Sequence, residues 1–378
     1  MAQFSRRGFV TLLGSTALVA CTGKSGAEAS AEGAVSGQPS LASLAKAKNI
    51  KFGSAMAAGQ LNNDRYTDII KRECGIIVAE NENKIYVINP QPDVMNFAPG
   101  DALVDFAKAN DLGMRGHTLI WHHPQWLPKW INEKDWGSAA NAEAYLNQYV
   151  SAVASRYEPF YSSWDVVNET IDPATGELRE TSFSRAMGPE VIDYCFHVAR
   201  EAAPSAKLAY NDYMDWAPAS DKHRAGVLRL VERLVKSGAP IDAVGLQSHS
   251  NEDAPAGYTK ERARIWKSFC DEIVGMGLDL YITEFDVDDS RMEADITARD
   301  TEIAAYTKDY LDLMLSYPQT KDLLIWGMVD SENWLQGFQP REDGLPKRPT
   351  VYDADYQPKP MRDAIAAALK AAPQRDAG

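Results

Sequence analysis

Two glutamates, Glu169 and Glu284, each close an apolar run of the kind that forms a strand buried on both faces. The first run covers residues 161–168 and the second residues 278–283. In a barrel of parallel strands, catalytic groups stand at the carboxyl ends of the strands. Two carboxylates that converge there can hydrolyse a glycosidic bond, one as a protonated acid and the other as an ionised group that attacks or activates water. The sequence leaves open whether their separation is that of a retaining or an inverting enzyme.

Strand-like segments that alternate with amphipathic helical segments must position these glutamates. The predicted strands are residues 52–56, 75–81, 113–121, 161–169, 207–212, 243–249, 278–286 and 323–330. The predicted helices are residues 99–110, 142–157, 189–203, 222–237, 260–275 and 298–316. This alternation is typical of a parallel sheet with crossover helices and predicts an α/β fold, a (β/α)8 TIM barrel in a single catalytic domain. A doubly wound open sheet is the alternative.

Polar and aromatic residues gather where the predicted strands end. They are Glu80, Asn81, Lys84, His117, Trp121, Asn168, Glu169, Asn211, Asp212, Tyr213, Gln247, His249, Glu284, Asp286, Trp326, Asp330 and Trp334. On a closed barrel all these ends meet on one face. A cleft lined by carboxylates, amides and indoles suits a sugar, whose hydroxyls need hydrogen-bond partners and whose ring faces stack on aromatic side chains.

Composition limits the range of partners. The chain has 378 residues, 45% of them hydrophobic and 24% charged, which is typical of a globular protein. Its net charge of −14 argues against a nucleic-acid partner, because phosphates would be repelled. The widely spaced Cys74, Cys195 and Cys270 form no metal-binding pattern, and we expect buried thiols, with one disulfide plus a free thiol as the alternative. No metal or organic cofactor is implied.

The N-terminus has the pattern of an export signal. Ser5-Arg6-Arg7 precedes a short apolar run, which is a twin-arginine pattern, and Leu18-Val19-Ala20-Cys21 resembles a bacterial lipoprotein box. We expect a signal peptide over residues 1–21, a lipid on Cys21 and a periplasmic or cell-surface location. An ordinary signal peptide with an incidental cysteine is the alternative. The remaining chain is predicted as a flexible linker (22–44), a barrel domain (45–372) and a tail (373–378).

The strand-end motifs carry a resemblance to a known family. They are Glu80-Asn81 with Lys84, Gly116-His117-Thr118-Leu119-Ile120-Trp121-His122, Trp164-Asp165-Val166-Val167-Asn168-Glu169, Asn211-Asp212-Tyr213, Gly245-Leu246-Gln247-Ser248-His249, Ile282-Thr283-Glu284-Phe285-Asp286 and Trp326-Gly327 with Asp330. In this order, residues 41–369 resemble the family 10 glycoside hydrolases, the endo-β-1,4-xylanases. The resemblance implies a retaining enzyme that acts on xylan or xylo-oligosaccharides. Separately from the resemblance, we expect a monomer that meets a membrane only through its N-terminal lipid.

The resemblance also implies a role for each catalytic residue. Glu169 resembles the general acid/base, with a pKa raised by its site and by the second carboxylate. Glu284 resembles the nucleophile that forms a covalent glycosyl-enzyme intermediate. His249 and Asp286 resemble the pair that orients this nucleophile. Asn168 resembles the donor to the sugar 2-hydroxyl.

Nine further residues resemble substrate-binding groups of the family. Those on the non-reducing side are Glu80, Asn81, Lys84, His117 and Gln247, those at the central subsite are Trp121, Trp326 and Trp334, and the one on the aglycone side is Tyr213. Four positions depart from the usual family pattern. Asn83 and Ile85 flank the lysine where methionine and tryptophan are usual, Met214 replaces an asparagine, and Phe285 replaces a leucine. These changes make the distal contacts on the non-reducing side uncertain, and they suggest a preference for substituted xylan or short xylo-oligosaccharides.

Two other functions stay open at this point. An endoglucanase or mannanase on the same barrel would share the paired glutamates, and a non-catalytic protein that captures glycans would use the tryptophans alone. Taken singly, most of the other histidines and tryptophans are expected to be packing residues. These are His122, His123, His197, His223, Trp126, Trp130, Trp136, Trp164, Trp216 and Trp266. Asp165 is expected to be a buried structural acid.

Overall fold

Eight parallel strands form one closed sheet within residues 37–250 and 259–376, the part of the chain that the computed structural model describes. They are β1 (Lys51–Met56), β2 (Ile76–Ala79), β3 (Gly113–Trp121), β4 (Tyr161–Asn168), β5 (Lys207–Asp212), β6 (Ala243–Leu246), β7 (Asp279–Val287) and β8 (Thr320–Ile325). Neighbours in the chain are neighbours in the sheet, β8 pairs with β1, and pairing of β6 with β7 completes the ring. The predicted (β/α)8 barrel is confirmed, and the open-sheet alternative is wrong.

Helices surround the barrel and bury its outer face. They are α1 (Leu41–Lys46), α2 (Asp64–Glu73), α3 (Ile85–Ile88), α4 (Ala98–Ala109), α5 (Lys129–Asn132), α6 (Ala139–Tyr157), α7 (Ser182–Met187), α8 (Glu190–Ala202), α9 (Asp221–Ser237), α10 (Lys260–Gly275), α11 (Ile296–Leu315) and α12 (Pro360–Ala371). All six predicted helices are present with small shifts at their ends. The others were missed, although α2 has a clear start signal in Asn63, whose side chain accepts from the Tyr66 amide at 3.2 Å.

The predicted sixth strand is shorter than expected, and its early end positions a histidine. Strand β6 ends at Leu246, and Ser248 adopts a left-handed backbone with φ of 61°. The chain then forms a two-residue strand, His249–Ser250, in which His249 pairs with Asp286 of β7. The predicted second and eighth strands also end early, so Glu80, Asn81 and the segment after Ile325 lie in loops.

Both predicted flanking segments contribute to the packed domain. The predicted linker 22–44 overlaps helix α1, in which Leu41 is fully buried and donates its amide to Glu73 at 2.9 Å. The predicted tail 373–378 includes Arg375, whose buried guanidinium donates to the backbone carbonyls of Leu315, Tyr317 and Thr320, where α11 ends and β8 begins. The signal peptide and Cys21 lie outside the described residues.

The three cysteines of the domain are buried free thiols, which confirms the simpler expectation. Burial raises the pKa of the Cys195 thiol to about 12, so it stays protonated at neutral pH. Burial likewise raises the pKa values of Cys74 and Cys270. In the described ranges, no helix is long and apolar enough to cross a bilayer.

Gly116 of β3 offers a test of barrel packing. A Cβ atom at this position would lie 2.0 Å from the ring of fully buried Trp164, its partner in strand β4. We therefore expect Gly116→Ala to lower the free energy of unfolding by about 1–3 kcal/mol, because the indole must move. Urea denaturation would measure the change. Gly275→Ala is the control, since nothing lies within 4 Å of its added Cβ, and equal effects of the two substitutions would contradict the prediction.

Candidate active site

Glu169 stands at the point where strand β4 ends. Its amide continues the ladder by donating to the Asn211 carbonyl at 3.0 Å, but its φ of 53° turns the chain out of the sheet. A left-handed backbone is costly for a glutamate, and such strain is concentrated at functional sites. The buried carboxylate accepts from Gln247 Nε2 at 2.9 Å and from Asn168 Nδ2 at 3.2 Å, both on its Oε1 atom.

The pKa of Glu169 is raised to about 7. Burial is the largest cause, and the negative charges of Asp212 and Glu284 act in the same direction. The hydrogen bond from Gln247 opposes them without cancelling their effect. Glu169 is therefore protonated over much of the acidic range and can give up its proton near neutrality.

Glu284 lies in the same cleft, but its pKa is shifted in the opposite direction, below the usual value. Burial alone would raise the pKa of this carboxyl, but the positive field of His117, the hydrogen bond and charge of His249 and the charge of Lys84 lower it to about 2. The Glu284 Oε1 atom accepts from Asn211 at 2.8 Å and lies 3.8 Å from His117 Nδ1, while Oε2 lies 3.2 Å from His249 Nε2. Glu284 is thus ionised throughout the range in which Glu169 titrates.

His249 bridges two carboxylates. Its Nε2 faces Glu284 and its Nδ1 lies 2.8 Å from Asp286 Oδ1. Burial lowers the pKa of the imidazole, but the charge of Asp286 and the hydrogen bonds to both carboxylates raise it to about 10. Asp286 also accepts from the Trp334 indole nitrogen at 2.8 Å, which fixes the carboxylate and the indole together. Of the pair predicted from the sequence to orient Glu284, His249 contacts it directly and Asp286 holds His249.

Three side-chain amides connect the two glutamates. Asn211 Nδ2 donates to Glu284 Oε1 and, at 3.0 Å, to Asn168 Oδ1. Gln247 Nε2 reaches the same Asn168 oxygen at 3.3 Å as well as Glu169. This chain of amides sets the position of each carboxylate relative to the other.

Asn211 was named in a sequence motif but was not predicted as a site residue. Its Oδ1 accepts from Thr283 Oγ1 at 2.7 Å, which fixes the amide so that its nitrogen faces Glu284. Gly245 makes room for it, because a Cβ there would lie 2.2 Å from the Asn211 oxygen. Its place at the end of β5, beside Asn168 in the sheet register, was the available signal.

The imidazole of His117 is held in place by the buried ion pair of Asp165 and Arg115. Its Nδ1 lies 2.9 Å from Asp165 Oδ2, and Arg115 forms a two-pronged contact with the same carboxylate at 2.9 and 2.5 Å. Asp165 and Arg115 are fully buried, so the expectation of a structural acid is confirmed. The pair also positions the imidazole that faces Glu284.

The predicted non-reducing side is built on the loop after β2. Lys84 is buried, its Nζ donating to Asn81 Oδ1 at 3.3 Å and lying 4.7 and 5.7 Å from the ring centres of Trp121 and Trp326. Burial lowers the pKa of Lys84, while Glu284 and Glu169 oppose the shift. Burial raises the pKa of Glu80, and the positive charge of Lys84 opposes this rise. Lys84 therefore interacts electrostatically with both Glu169 and Glu284, and it connects Glu80 and Asn81 to them.

Aromatic rings pack against the two histidines that lie next to Glu284. Trp326 packs edge-on against His117 at 5.3 Å and His249 at 6.4 Å, and Trp334 lies 5.1 Å from His249. Trp126 was expected to be a packing residue, but it stacks on Trp121 at 5.0 Å and is 40% exposed. The wall on this side of the cleft is therefore broader than predicted.

Tyr213 is connected to Glu169 through an arginine that the sequence did not reveal. Arg179 donates its Nε to the Glu169 carbonyl at 3.0 Å and a terminal nitrogen to the Tyr213 hydroxyl at 2.7 Å. Burial raises the pKa of Tyr213 to about 12, so its hydroxyl stays protonated. Arg179 lies in a loop without a strand-end position, which explains why no pattern indicated it.

Some strand-end residues point away from the cleft. Asp330 is buried among Lys359 and Thr350, which donate to its Oδ1 at 3.1 and 3.0 Å. His223 contacts Asp212 at 3.1 Å and His122 contacts Thr181 at 2.9 Å, in keeping with the structural class expected for these histidines. No group of three or more His, Cys, Asp or Glu side chains in the described part of the chain is arranged to hold a metal ion.

The fold and the site together define a (β/α)8-barrel glycoside hydrolase, with one protonated and one ionised carboxylate in a cleft of amides and indoles. The model of glycosyl hydrolase family 10 matches residues 40–368. The chain belongs to this family.

Several characterised relatives and solved structures are similar to the chain. Endo-1,4-beta-xylanase B of Paenibacillus barcinonensis is 32% identical over 333 residues, which cover 85% of this chain and 96% of that protein. The crystal structure of native xylanase 10B from Thermotoga maritima has a TM-score of 0.79 and 30% identity, covering 88% of this chain and 98% of that one. Xylanase 10B from Thermotoga petrophila, solved with xylobiose, has the same TM-score and coverage with 29% identity.

The coupling between the two glutamates can be measured directly. Glu284→Gln removes a negative charge that helps to raise the pKa of Glu169, so this pKa should fall below about 7. Burial, the larger cause, is unchanged, so the value should stay above that of an exposed glutamate. NMR titration of the side-chain carboxyl carbons would measure the pKa of Glu169 in the parent chain and in Glu284→Gln, which tests the fall and the remaining elevation. The exposed Glu180→Gln serves as control, and an unchanged Glu169 titration in Glu284→Gln would contradict the coupling.

Proposed function

We propose that this chain is a retaining endo-β-1,4-xylanase, with Glu169 as the acid/base and Glu284 as the nucleophile. The observation that carries the proposal is the opposite displacement of the two carboxyl pKa values in one buried cleft, to about 7 and about 2. A protonated acid beside an ionised carboxylate is what the first step of glycoside hydrolysis requires.

In the first step, a Glu284 oxygen attacks the anomeric carbon while the bond from that carbon to the leaving oxygen breaks. The leaving oxygen takes the electron pair and the proton of Glu169, and the departing chain leaves as an alcohol. His249 holds one Glu284 oxygen and Asn211 the other, so the attacking group is fixed before substrate arrives. Asn168 is placed between the two glutamates to contact the 2-hydroxyl of the reacting sugar.

In the second step, water replaces the departed chain. Esterified Glu284 no longer carries a charge, so one of the causes that raise the pKa of Glu169 is absent and the carboxylate is left as a base. Glu169 takes a proton from water, the hydroxide attacks the anomeric carbon, and the ester bond breaks to restore ionised Glu284. Two displacements at the same carbon give net retention.

Xylan is the substrate that the relatives support. Endo-1,4-beta-xylanases from Paenibacillus barcinonensis and Thermotoga neapolitana match most of the chain, at 32% and 31% identity. Trp326 and Trp334 pack against the histidines next to Glu284, and we propose that these indoles disfavour the additional hydroxymethyl group of glucose. Apolar crowding of this kind provides about 1–3 kcal/mol of selectivity.

Release of reducing sugar from xylan tests the proposal. A chain comprising residues 37–378 should hydrolyse xylan, and Glu284→Ala should lower kcat by about 10⁴-fold or more, since no other group can form the intermediate. NMR of the first product should show the β-anomer. Activity should decline as pH rises through about 7, because Glu169 loses the proton that it must donate. Faster hydrolysis of glucan or mannan would overturn the specificity, and polymer binding without cleavage would favour a capture protein.

We also propose that the chain is exported through the twin-arginine pathway and carries a lipid on Cys21. The support is the sequence of residues 5–21 alone. Radiolabelled fatty acid should be incorporated into the full-length chain in a bacterial host and not into Cys21→Ser. Equal labelling of Cys21→Ser and the parent chain, or labelling of neither, would remove the proposal. Cys195→Ser is the matched control, because this buried thiol is not accessible for modification.

A further inference from the structure

Two polar side chains of strand β5 lie on the side of the sheet that faces away from the cleft. Asn211 of this strand donates to Glu284 in the cleft. Because side chains alternate along a strand, its neighbours Tyr210 and Asp212 point the other way, toward the surrounding helices. Both are fully buried, so neither is placed to touch a substrate.

Asp212 is the centre of a hydrogen-bonded set of three side chains. Its Oδ2 atom accepts from the hydroxyl of Tyr210, and its Oδ1 atom lies 3.1 Å from Nε2 of His223, which is buried near the start of helix α9. The Oδ1 atom also accepts from the Tyr213 amide at 2.8 Å. Burial and then the charge of Asp212 raise the pKa of Tyr210, so its hydroxyl keeps the proton that it donates. We call Tyr210, Asp212 and His223 the buried support.

Tyr210 connects Asp212 to the backbone beside the acid/base. The amide of Thr170, the residue after Glu169, donates to the Tyr210 hydroxyl at 3.3 Å. The same hydroxyl donates to Asp212. The buried support therefore fixes the N–H edge of the peptide that follows Glu169.

The C=O edge of this peptide is fixed from the other side. The Glu169 carbonyl accepts from Arg179 Nε at 3.0 Å, and Arg179 also donates to the Tyr213 hydroxyl at 2.7 Å. The Tyr213 ring packs edge-on against His223 at 5.0 Å. Fixing both edges matters here because Glu169 has a φ of 53°, a backbone conformation that is costly for a glutamate and persists only where neighbouring groups determine it.

Asp212 also acts on Glu169 through its charge. After burial and the hydrogen bond from Gln247, this negative charge has the largest effect on the pKa of Glu169, and it raises that pKa. Charged and titratable groups from several segments surround Asp212. They are Glu169 after β4, His123 after β3, Tyr210 of β5 with Tyr213 beyond it, Arg179 behind the Tyr213 hydroxyl, and His223 of α9.

We propose that the buried support of Tyr210, Asp212 and His223 is a set of positioning residues for the acid/base, which fixes the direction in which the Glu169 carboxyl group transfers its proton. This inference rests on the proposed function. The charge of Asp212 in addition sets the pH at which the proton is lost. Glu284 is held by other side chains. Steps that need a proton from Glu169 should therefore depend on the buried support, and the attack of Glu284 should not.

Two substrates that differ in their need for an acid test the proposal. Tyr210→Phe should lower kcat/KM on xylotetraose about tenfold, which is part of the about 10²–10⁴-fold that a positioned acid contributes. On 2,4-dinitrophenyl β-xylobioside, kcat/KM should keep its parental value, because this phenol leaves as a stable anion without a proton. Tyr352→Phe is the matched control and should change neither value, since its hydroxyl likewise donates to a buried carboxylate, that of Glu73 in helix α2, at 2.6 Å.

Two further positions separate the charge of the buried support from its hydrogen bonds. Asp212→Asn removes a charge that raises the pKa of Glu169, so this pKa should fall below about 7 and the alkaline limb of kcat/KM on xylotetraose should move to lower pH. His223→Phe keeps a ring beside Tyr213 but removes the hydrogen bond to Asp212. It should lower the ratio of kcat/KM on xylotetraose to that on the dinitrophenyl substrate by about two- to tenfold. His223→Gln, which keeps a donor, should restore most of this ratio.

The outcomes separate this inference from the proposed function. If the parent chain cleaves neither substrate, the proposed function fails and the inference fails with it. If the parent chain cleaves both, equal losses on the two substrates in Tyr210→Phe would indicate a general structural defect and would overturn the inference alone. Parental values on both substrates would overturn it as well. If Tyr210→Phe does not fold, an unchanged ratio in His223→Phe together with an unchanged alkaline limb in Asp212→Asn would contradict the inference.

Discussion

The site depends on an electrostatic difference between two carboxylates that are both buried. Burial raises the pKa of each one, so burial cannot distinguish them. The distinction comes from their neighbours, because Glu284 faces His117, His249 and Lys84 while Glu169 faces the negative charge of Asp212. A single amide chain holds both groups. The proposed acid and the proposed nucleophile thus differ by the charges that the barrel places beside them.

The barrel can supply these charges because it gathers strand ends that are distant in sequence. Glu284 and Asp286 lie at the carboxyl end of strand β7, and Glu169 directly follows strand β4. Two deviations from regular strand geometry complete the arrangement. Glu169 has a φ of 53°, which turns its carboxylate out of strand β4. Ser248 has a φ of 61°, and the chain after it forms the short strand in which His249 pairs with Asp286. Such backbone strain is stable only where the surrounding fold fixes it.

Sequence patterns predicted the barrel and the catalytic cluster because both depend on strand ends, which apolar runs mark clearly. They did not predict Arg179, which reaches the Glu169 carbonyl from a loop, since loop conformation has no periodic signal. The role of Asn211 was also missed, because it depends on an amide orientation fixed by Thr283 and on the space left at Gly245. Asp330 was grouped with the cleft because sequence position does not show on which side of a loop a carboxylate lies.

The departures from the family pattern fall in the core rather than in the cleft. Asn83 and Ile85 are fully buried on either side of Lys84, and Asn83 accepts from the Tyr161 hydroxyl at 3.1 Å. Phe285 is fully buried and stacks on Tyr310 at 5.5 Å. These side chains are packed in the core, and the preference for substituted xylan or short xylo-oligosaccharides stays a prediction. The aromatic surface beside Trp121 is instead provided by exposed Trp126 and by Tyr86, which extends the wall outward from Lys84. We therefore expect any difference in substrate specificity between this chain and its relatives to arise in the segments that carry Trp126 and Tyr86. The buried charges around Glu169 and Glu284 should keep the reaction itself the same.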